Sequence, residues 1–395
     1  MARRARRPFA GEHVSTEAVV SAIKESGSNR TPLRIAGRST WLDAGRPVRA
    51  DKTLSLRDDS GVVSYVPGDL TLTVRAGTTL DEIGRVTGEH DQWLPLDPYG
   101  SNDGTIGATI ATASAGPLAS SFGFPRDLLL GLEFVNGRGD VVRGGGKVVK
   151  NVAGFDLSRL LTGSWGTLGV ITEVTLRLYA RPKVDRTFVV KLRGTEKQVT
   201  GLLRAFRGAP IAPFAMELLN ATSARALSLD DNPVCLIRLG GNAAAVDAQI
   251  KAIATVVKVD EVADAMWSQL RNLENGADDT IRIAALPVQF VATSAAMLKD
   301  EMPGIFSYVN IHRGVMRIFT SPQALTVAAG IPDGRTSVDL RVSSENPGEG
   351  VVVYEKLPAE VWPIVSPTVI SDSLSQGIKK AYDPHGILNP GILGD

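Results

Sequence analysis

From Gly104 to Gly116 the chain carries only two large side chains, Ile106 and Ile110, in a run otherwise made of Gly, Ala, Ser and Thr. A backbone so short of bulk must lie close against another backbone or against something flat, because small residues leave nothing else to fill the space. Tight helix packing accounts for the Ala and Gly, whereas the interspersed hydroxyls of Thr105, Thr109 and Thr112 suit contact with a ligand. Both readings stand from this segment alone.

Two more Gly-rich places share the first half of the chain. Ile35-Ala-Gly-Arg-Ser-Thr40 follows the short apolar run Leu33–Ala36. It reads either as a turn or as a pyrophosphate cradle, since glycine lets backbone N–H groups converge on an anion. It lacks the G-x-G-x-x-G spacing and the acidic residue about 20 positions on that mark a dinucleotide-binding βαβ unit. The third place opens with Gly144-Gly-Gly-Lys-Val-Val-Lys150 and continues through Gly163-Ser-Trp-Gly166 into a strand at Val170.

With 395 residues, 43% hydrophobic and 22% charged, the chain can build two or three domains. Its 43 Lys and Arg against 42 Asp and Glu create no field that would recruit nucleic acid. One cysteine, Cys235, excludes an internal disulfide and an iron–sulfur ligand set, and fits a reducing, cytoplasmic compartment. No apolar run reaches the roughly 18 residues of a membrane span. The basic start, Arg3 to Arg7, is followed by Gly11 and Glu12 instead of an apolar stretch, so a frayed tail is expected and not a secretory signal.

Local signals predict a helix over Ser15–Ser26, capped by Ser15 and stopped by Gly27. Thr79-Leu-Asp-Glu82 is a capping box for a helix to about Thr87. Leu70, Leu72 and Val74 alternate as a half-buried strand, and Leu128–Val135 with Asp140–Arg143 forms a hairpin about Asn136-Gly-Arg-Gly139. After the break at Ala180-Arg-Pro182 come a strand at Phe188–Leu192, a helix at Glu196–Phe206, strands at Phe214–Leu218 and Val234–Leu239, and a helix at Ala243–Ala254. That is the order of a split βαβ unit. The expectation is an α+β chain with domains at 1–182 and 183–368 and a closing segment at 369–395.

The three Gly-rich stretches, in this order over residues 15–182, resemble the vanillyl alcohol oxidase/p-cresol methylhydroxylase family of FAD-binding oxidoreductases. Arg126-Asp-Leu-Leu-Leu-Gly131, Lys150-Asn-Val-Ala-Gly-Phe-Asp-Leu-Ser-Arg159 and Asp383-Pro-His-Gly-Ile-Leu-Asn-Pro-Gly391 look most like the FAD-binding E subunits of bacterial glycolate oxidases. The resemblance implies a two-part FAD-binding domain of the p-cresol methylhydroxylase type, a ferredoxin-like α+β substrate or cap domain, and a C-terminal tail returning to the flavin. It also implies pyrophosphate contacts from Ala36, Gly37, Arg38, Ser39 and Thr40. Flavin and ribityl contacts would come from Pro98, Thr105, Ile106, Gly107, Thr109 and Thr112. Gly163, Ser164, Gly166, Val170 and Ile171 would hold the adenosine end, and Asn389 would reach the flavin edge. Ala108 stands where relatives often have a second glycine, which narrows the approach.

By the same resemblance the chain oxidises a 2-hydroxy acid, glycolate or D-lactate, by hydride transfer to the flavin. Electrons then pass to a second flavin subunit and an iron–sulfur subunit, with a peripheral place at the inner face of the cell membrane through those partners. His13, His90, His312 and His385 all lie outside the Gly-rich segments and Cys235 sits in an apolar strand, so FAD is expected to bind non-covalently. Lys150 is the candidate base. His312 and Arg313 suit a substrate carboxylate, or else form a solvated strand end. No His/Glu spacing suggests a metal site. A stand-alone flavin oxidase for another hydroxy acid, alcohol or sugar, and a non-catalytic FAD-binding subunit, are the alternatives.

Overall fold

The computed structural model describes residues 15–146, 156–192, 196–208, 210–286, 304–310, 312–320, 351–365 and 373–394. Helix α1 (Thr16–Asn29) opens on Ser15, whose hydroxyl accepts the Ala18 N–H. It runs through Gly27 and ends only where Arg30 turns left-handed at φ 51°. Gly27 is therefore not the stop. Its missing side chain lets the His385 ring of the C-terminal segment pack 3.3 Å from where a Cβ would stand.

Strands β1 (Leu33–Ala36) and β2 (Lys52–Ser55) pair in parallel. A five-stranded antiparallel sheet follows, with β3 (Val62–Val66), β4 (Thr71–Arg75), β6 (Leu129–Val135), β7 (Val141–Gly145) and β8 (Val170–Arg177) in the order β3-β4-β8-β6-β7. Short strands β5 (Gln92–Trp93) and β9 (Tyr179–Ala180) pair separately. The predicted alternation about Leu70 needs correcting. Leu70 sits left-handed at φ 53° after a 3-10 turn, and in β4 Thr71 and Thr73 are buried along with Leu72 and Val74. Both sides of β4 are covered, and the Thr73 and Thr175 hydroxyls pair across the strands at 3.0 Å.

Around this sheet lie α2 (Leu80–Gly88), α3 (Ile106–Thr112), α4 (Ala119–Phe122), α5 (Pro125–Leu128) and α6 (Leu157–Leu161). Thr79 caps α2 by accepting the Glu82 N–H at 3.1 Å. Ile106 and Ile110 of α3 join Val19, Ile23, Ile83, Leu72, Val74 and Phe134 in one core. Each such side chain contributes about 1.5–3 kcal/mol by leaving water. The two isoleucines thus anchor the small-residue helix and leave its other residues for a cleft.

The second half forms a single sheet in the order β13-β10-β12-β11-β15-β16-β14-β17, every pair antiparallel. Its strands are β10 (Val184–Lys191), β11 (Ala215–Leu219), β12 (Val234–Gly241), β13 (Asp260–Val262), β14 (Asp279–Ala284), β15 (Ile305–Asn310), β16 (Val315–Thr320) and β17 (Val351–Lys356). With α7 (Glu196–Gly208) and α9 (Ala243–Ala254) between its strands, the β13-β10-β12-β11 half has the fourth-first-third-second order of a split βαβ unit. The other four strands widen the sheet beyond that unit. Helices α8 (Ala221–Ala226), α10 (Ala265–Asn272) and α11 (Ser373–Tyr382) complete the elements used below. Next to β17, Gly45 donates its N–H to the Glu355 carbonyl at 2.7 Å, and Arg46 donates to the carbonyls of Trp362 and Val365. The far edge of the large sheet is thereby fastened to the loop that follows β1. Among the described residues no helix is long and apolar enough to cross a membrane.

Candidate functional site

An open cleft runs between the β1 loop, α3 and the large sheet. Ala36, Gly37, Arg38, Ser39 and Thr40 make one wall; Pro98, Thr105, Gly107, Thr109 and Thr112 make a second; Gly166, Ile171 and Asn389 make a third. Ile106 and Val170 do not reach it, because their side chains are fully buried in the core behind. Gly163 spends its N–H on the Ile110 carbonyl at 3.1 Å, and Ser164 is buried with its hydroxyl unpartnered among the described residues.

The first wall is a set of waiting donors. Among the described residues, the N–H groups of Gly37, Arg38, Ser39 and Thr40 meet no protein acceptor. Ser39 is left-handed at φ 61°, a conformation that turns successive N–H groups toward one point and suits an anion. Gly37 must be glycine because a Cβ there would lie 2.2 Å from Thr105 Oγ1. The cradle glycine therefore serves first to bring the β1 loop against the start of α3.

In the second wall the threonine hydroxyls already have work within the helix. Thr105 caps the Ala108 N–H at 3.4 Å, Thr109 donates to the Thr105 carbonyl at 3.0 Å, and Thr112 donates to the Ala108 carbonyl at 2.8 Å. Their remaining lone pairs can accept from a ligand; the donor hydrogens of Thr109 and Thr112 are engaged, whereas Thr105 only accepts and keeps its hydrogen to donate. The helix-packing reading thus accounts for these hydroxyls as well as for the small residues.

The third wall is tied together over great sequence distance. Asn389, left-handed at φ 44°, accepts the Ile35 N–H at 2.7 Å and donates from Nδ2 to the Trp165 carbonyl at 2.7 Å. Trp165 itself is left-handed at φ 53° and tilts against Trp41 with centroids 5.8 Å apart. Both tryptophans line the cleft and neither was singled out from sequence. A large aromatic between Gly163 and Gly166 was the available signal for Trp165.

Toward the large sheet the cleft meets Tyr99, Gly100, Ser101, Glu274 and Asn275, also missed from sequence. Arg317 donates twice to Glu274, at 2.5 and 2.7 Å, and once to Glu355 at 2.6 Å; Tyr308 donates to Glu274 as well. Of the predicted catalytic set, His312 and Arg313 fall among the described residues. Lys150 lies outside the described residues. His312 is exposed and, like Arg313, is not among the residues lining the cleft. Arg313 donates to the Gly116 carbonyl at 2.9 Å and lies 4.8 Å over the Phe124 ring, so this guanidinium fastens the two halves of the protein together.

Beside Arg313, Glu217 of β11 accepts from Asn310 Nδ2 at 2.7 Å, and Asn310 also donates to Ser120 Oγ at 2.8 Å. Burial pushes the Glu217 carboxyl from 4.5 up to about 8, and burial raises Asp97 to about 6. Between about 4.5 and 8 the folded chain keeps a proton that the unfolded chain has released, so stability falls as pH rises through that window and levels off above it. Glu217→Gln should remove this slope. Denaturant melts at pH 5 and pH 8.5 should show a gain on the order of 3 kcal/mol at the higher pH and little at the lower; parallel curves for variant and parent would refute the assignment.

Residues 13–145 match the family model of the FAD binding domain. Glycolate oxidase subunit GlcE of Escherichia coli is 34% identical over 258 residues, 65% of this chain and 68% of that protein. The chain belongs to the vanillyl alcohol oxidase/p-cresol methylhydroxylase family of FAD-binding oxidoreductases. D-2-hydroxyglutarate dehydrogenase of Xanthomonas citri is 28% identical to this flavoprotein over 96% of its length and 87% of the relative's. An alkyldihydroxyacetonephosphate synthase structure shares the flavoprotein's fold at a TM-score of 0.64 and 14% identity, covering 95% of this chain and 74% of that one. The cleft suits FAD on its own chemistry. A run of unpartnered backbone donors fits a diphosphate, two tryptophans offer flat apolar surface, and the left-handed Ser39, Trp165 and Asn389 hold those groups in strained positions as ligand sites do.

Proposed function

We propose that this FAD-dependent oxidoreductase takes a 2-hydroxy acid, glycolate or D-lactate, as its substrate and passes the electrons to a partner iron–sulfur subunit beside a second flavin subunit. The observation that carries the reading is one cleft continuous from the donor loop 37–40 to Tyr99 and Glu274 at the large sheet, in a chain whose relatives are named for glycolate, D-lactate and D-2-hydroxyglutarate. Bound FAD supplies the hydride acceptor.

The chain's own residues do the rest. The N–H groups of Gly37, Arg38, Ser39 and Thr40 hold the diphosphate, Trp41 and Trp165 flank the adenosine end, and Asn389 fixes the wall between them. Residues 1–182 and 369–395 carry the cofactor and 183–368 the substrate side. Lys150 is proposed to take the hydroxyl proton. Non-covalent attachment is supported by the cleft lining, which among the described residues includes no His and no Cys. A partner is needed because a chain with one cysteine cannot ligate a cluster of its own.

The test is the visible spectrum of the purified protein before and after anaerobic addition of glycolate or D-lactate, followed by acid precipitation. Bleaching by either acid and release of yellow flavin into the supernatant are expected. A flavin that neither acid reduces refutes the substrate class, and flavin retained in the pellet refutes non-covalent binding.

A further inference from the structure

We propose that Tyr99 recognises the substrate carboxylate, its phenol donating a hydrogen bond to one carboxylate oxygen of the 2-hydroxy acid. The proposal rests on the substrate class given above. Tyr99 belongs to no helix or strand, yet its ring is held by two residues of the large sheet. The Arg317 guanidinium lies 4.1 Å from its ring centroid, and the Tyr308 ring stacks on it at 5.3 Å and 25°. The backbone on either side is pinned: Arg271 donates to the Pro98 carbonyl at 2.9 Å and to Asn102 Oδ1 at 3.0 Å, and Gly100 donates its N–H to the Arg271 carbonyl at 2.8 Å.

The ring lines the cleft, and among the described residues nothing hydrogen-bonds the hydroxyl, which is not shut off from solvent. A rigidly clamped aromatic with a spare polar tip is the arrangement that ligand contact requires, since the cost of ordering it is met before binding. The charges next to it are already spent: Glu274 is neutralised by Arg317, and Arg317 is shared with Glu355. Tyr99 thus offers an open donor at this end of the cleft. Burial, helped by the nearby Glu217, raises its phenol well above the ordinary 10, so it stays protonated and acts as a donor, not as a base. Of the two functional groups on a 2-hydroxy acid, the hydroxyl must give up a proton while the carboxylate needs one donated toward it. A donor-only phenol fits the carboxylate.

Tyr99→Phe keeps the clamped ring and deletes the hydroxyl. Stopped-flow flavin reduction should show KM for glycolate or D-lactate rising about ten- to a hundredfold, with a much smaller fall in the limiting rate and normal flavin content. The preference for each acid over the diol made by reducing its carboxyl group should shrink by the same factor, a change that a purely structural role would not produce. An unaltered KM and preference, or loss of flavin from the variant, overturns the proposal while leaving the parent reading intact. A wild-type flavin that neither acid reduces removes the parent reading and this proposal together.

Discussion

Protein carrying Gly107→Val is expected to purify with less than about a tenth of the parent's flavin while remaining folded. A Cβ at position 107 would stand 2.6 Å from Ala76 Cβ and 2.9 Å from the Ala76 carbonyl oxygen. Ala76 cannot yield, because its N–H is held by the Thr172 carbonyl at 3.0 Å and its carbonyl accepts the Gly107 N–H at 2.9 Å. Helix α3 must therefore lift away, at a cost of about 1–3 kcal/mol for such overpacking. Thr105 at its start moves with it, and Thr105 is what Gly37 packs against. Two walls of the cleft then separate. Gly84→Ala in α2, where a new Cβ meets nothing within 4 Å, is the control and should keep its flavin. The ratio of flavin to protein absorbance reads the result, and a flavin-replete Gly107→Val protein would refute the role given to this contact.

Removing Arg317 has the largest expected effect on stability. The guanidinium is 4% exposed and supplies the charge partner for both Glu274 and Glu355. Burial alone would raise the Glu355 carboxyl, but Arg317 and Arg282 outweigh it and hold it below the usual value. Arg317→Met leaves Glu274 with only a tyrosine donor in a buried place. Breaking a buried ion pair from one side costs about 3–5 kcal/mol, visible as a lower denaturation midpoint and a protein that sheds flavin on dilution. Adding Glu274→Gln and Glu355→Gln to Arg317→Met should recover much of the loss, because no unpaired buried charge then remains. A single variant as stable as the parent would show that the network does not bear on the fold.

What could be read in advance was whatever nearby residues decide together. Ser15, Thr79 and the Asn136–Gly139 turn announce helix starts and a hairpin because the capping and turning groups sit within three or four positions of the backbone they serve. The Gly-rich walls were visible as well, although for Gly37 and Gly107 the immediate reason is contact with Thr105 and Ala76. Leu70 misled because its apolar side chain matches the strand that follows, whereas its left-handed backbone closes the turn marked by Pro67-Gly68-Asp69. Tyr99, Trp41 and Glu274 were hidden for a different reason. Each is ordinary in its own neighbourhood and gains meaning only from partners folded in from elsewhere, as Arg317 reaches Tyr99 from β16. Arg313 shows the converse: a cation picked out for its carboxylate chemistry also makes a contact no local signal announces, from one N–H to the Gly116 carbonyl.

The hydrogen bond from Ile35 to Asn389 spans 354 positions, and this has a consequence for synthesis on the ribosome. The donor loop beside Ile35 emerges early, but the wall that completes the cleft is translated only after the whole large sheet. A growing chain can fold its first sheet and still have no closed berth for FAD. Cofactor capture is then a late event, timed by the arrival of residue 389, and chains stalled upstream of it would be colourless however well their first half had folded.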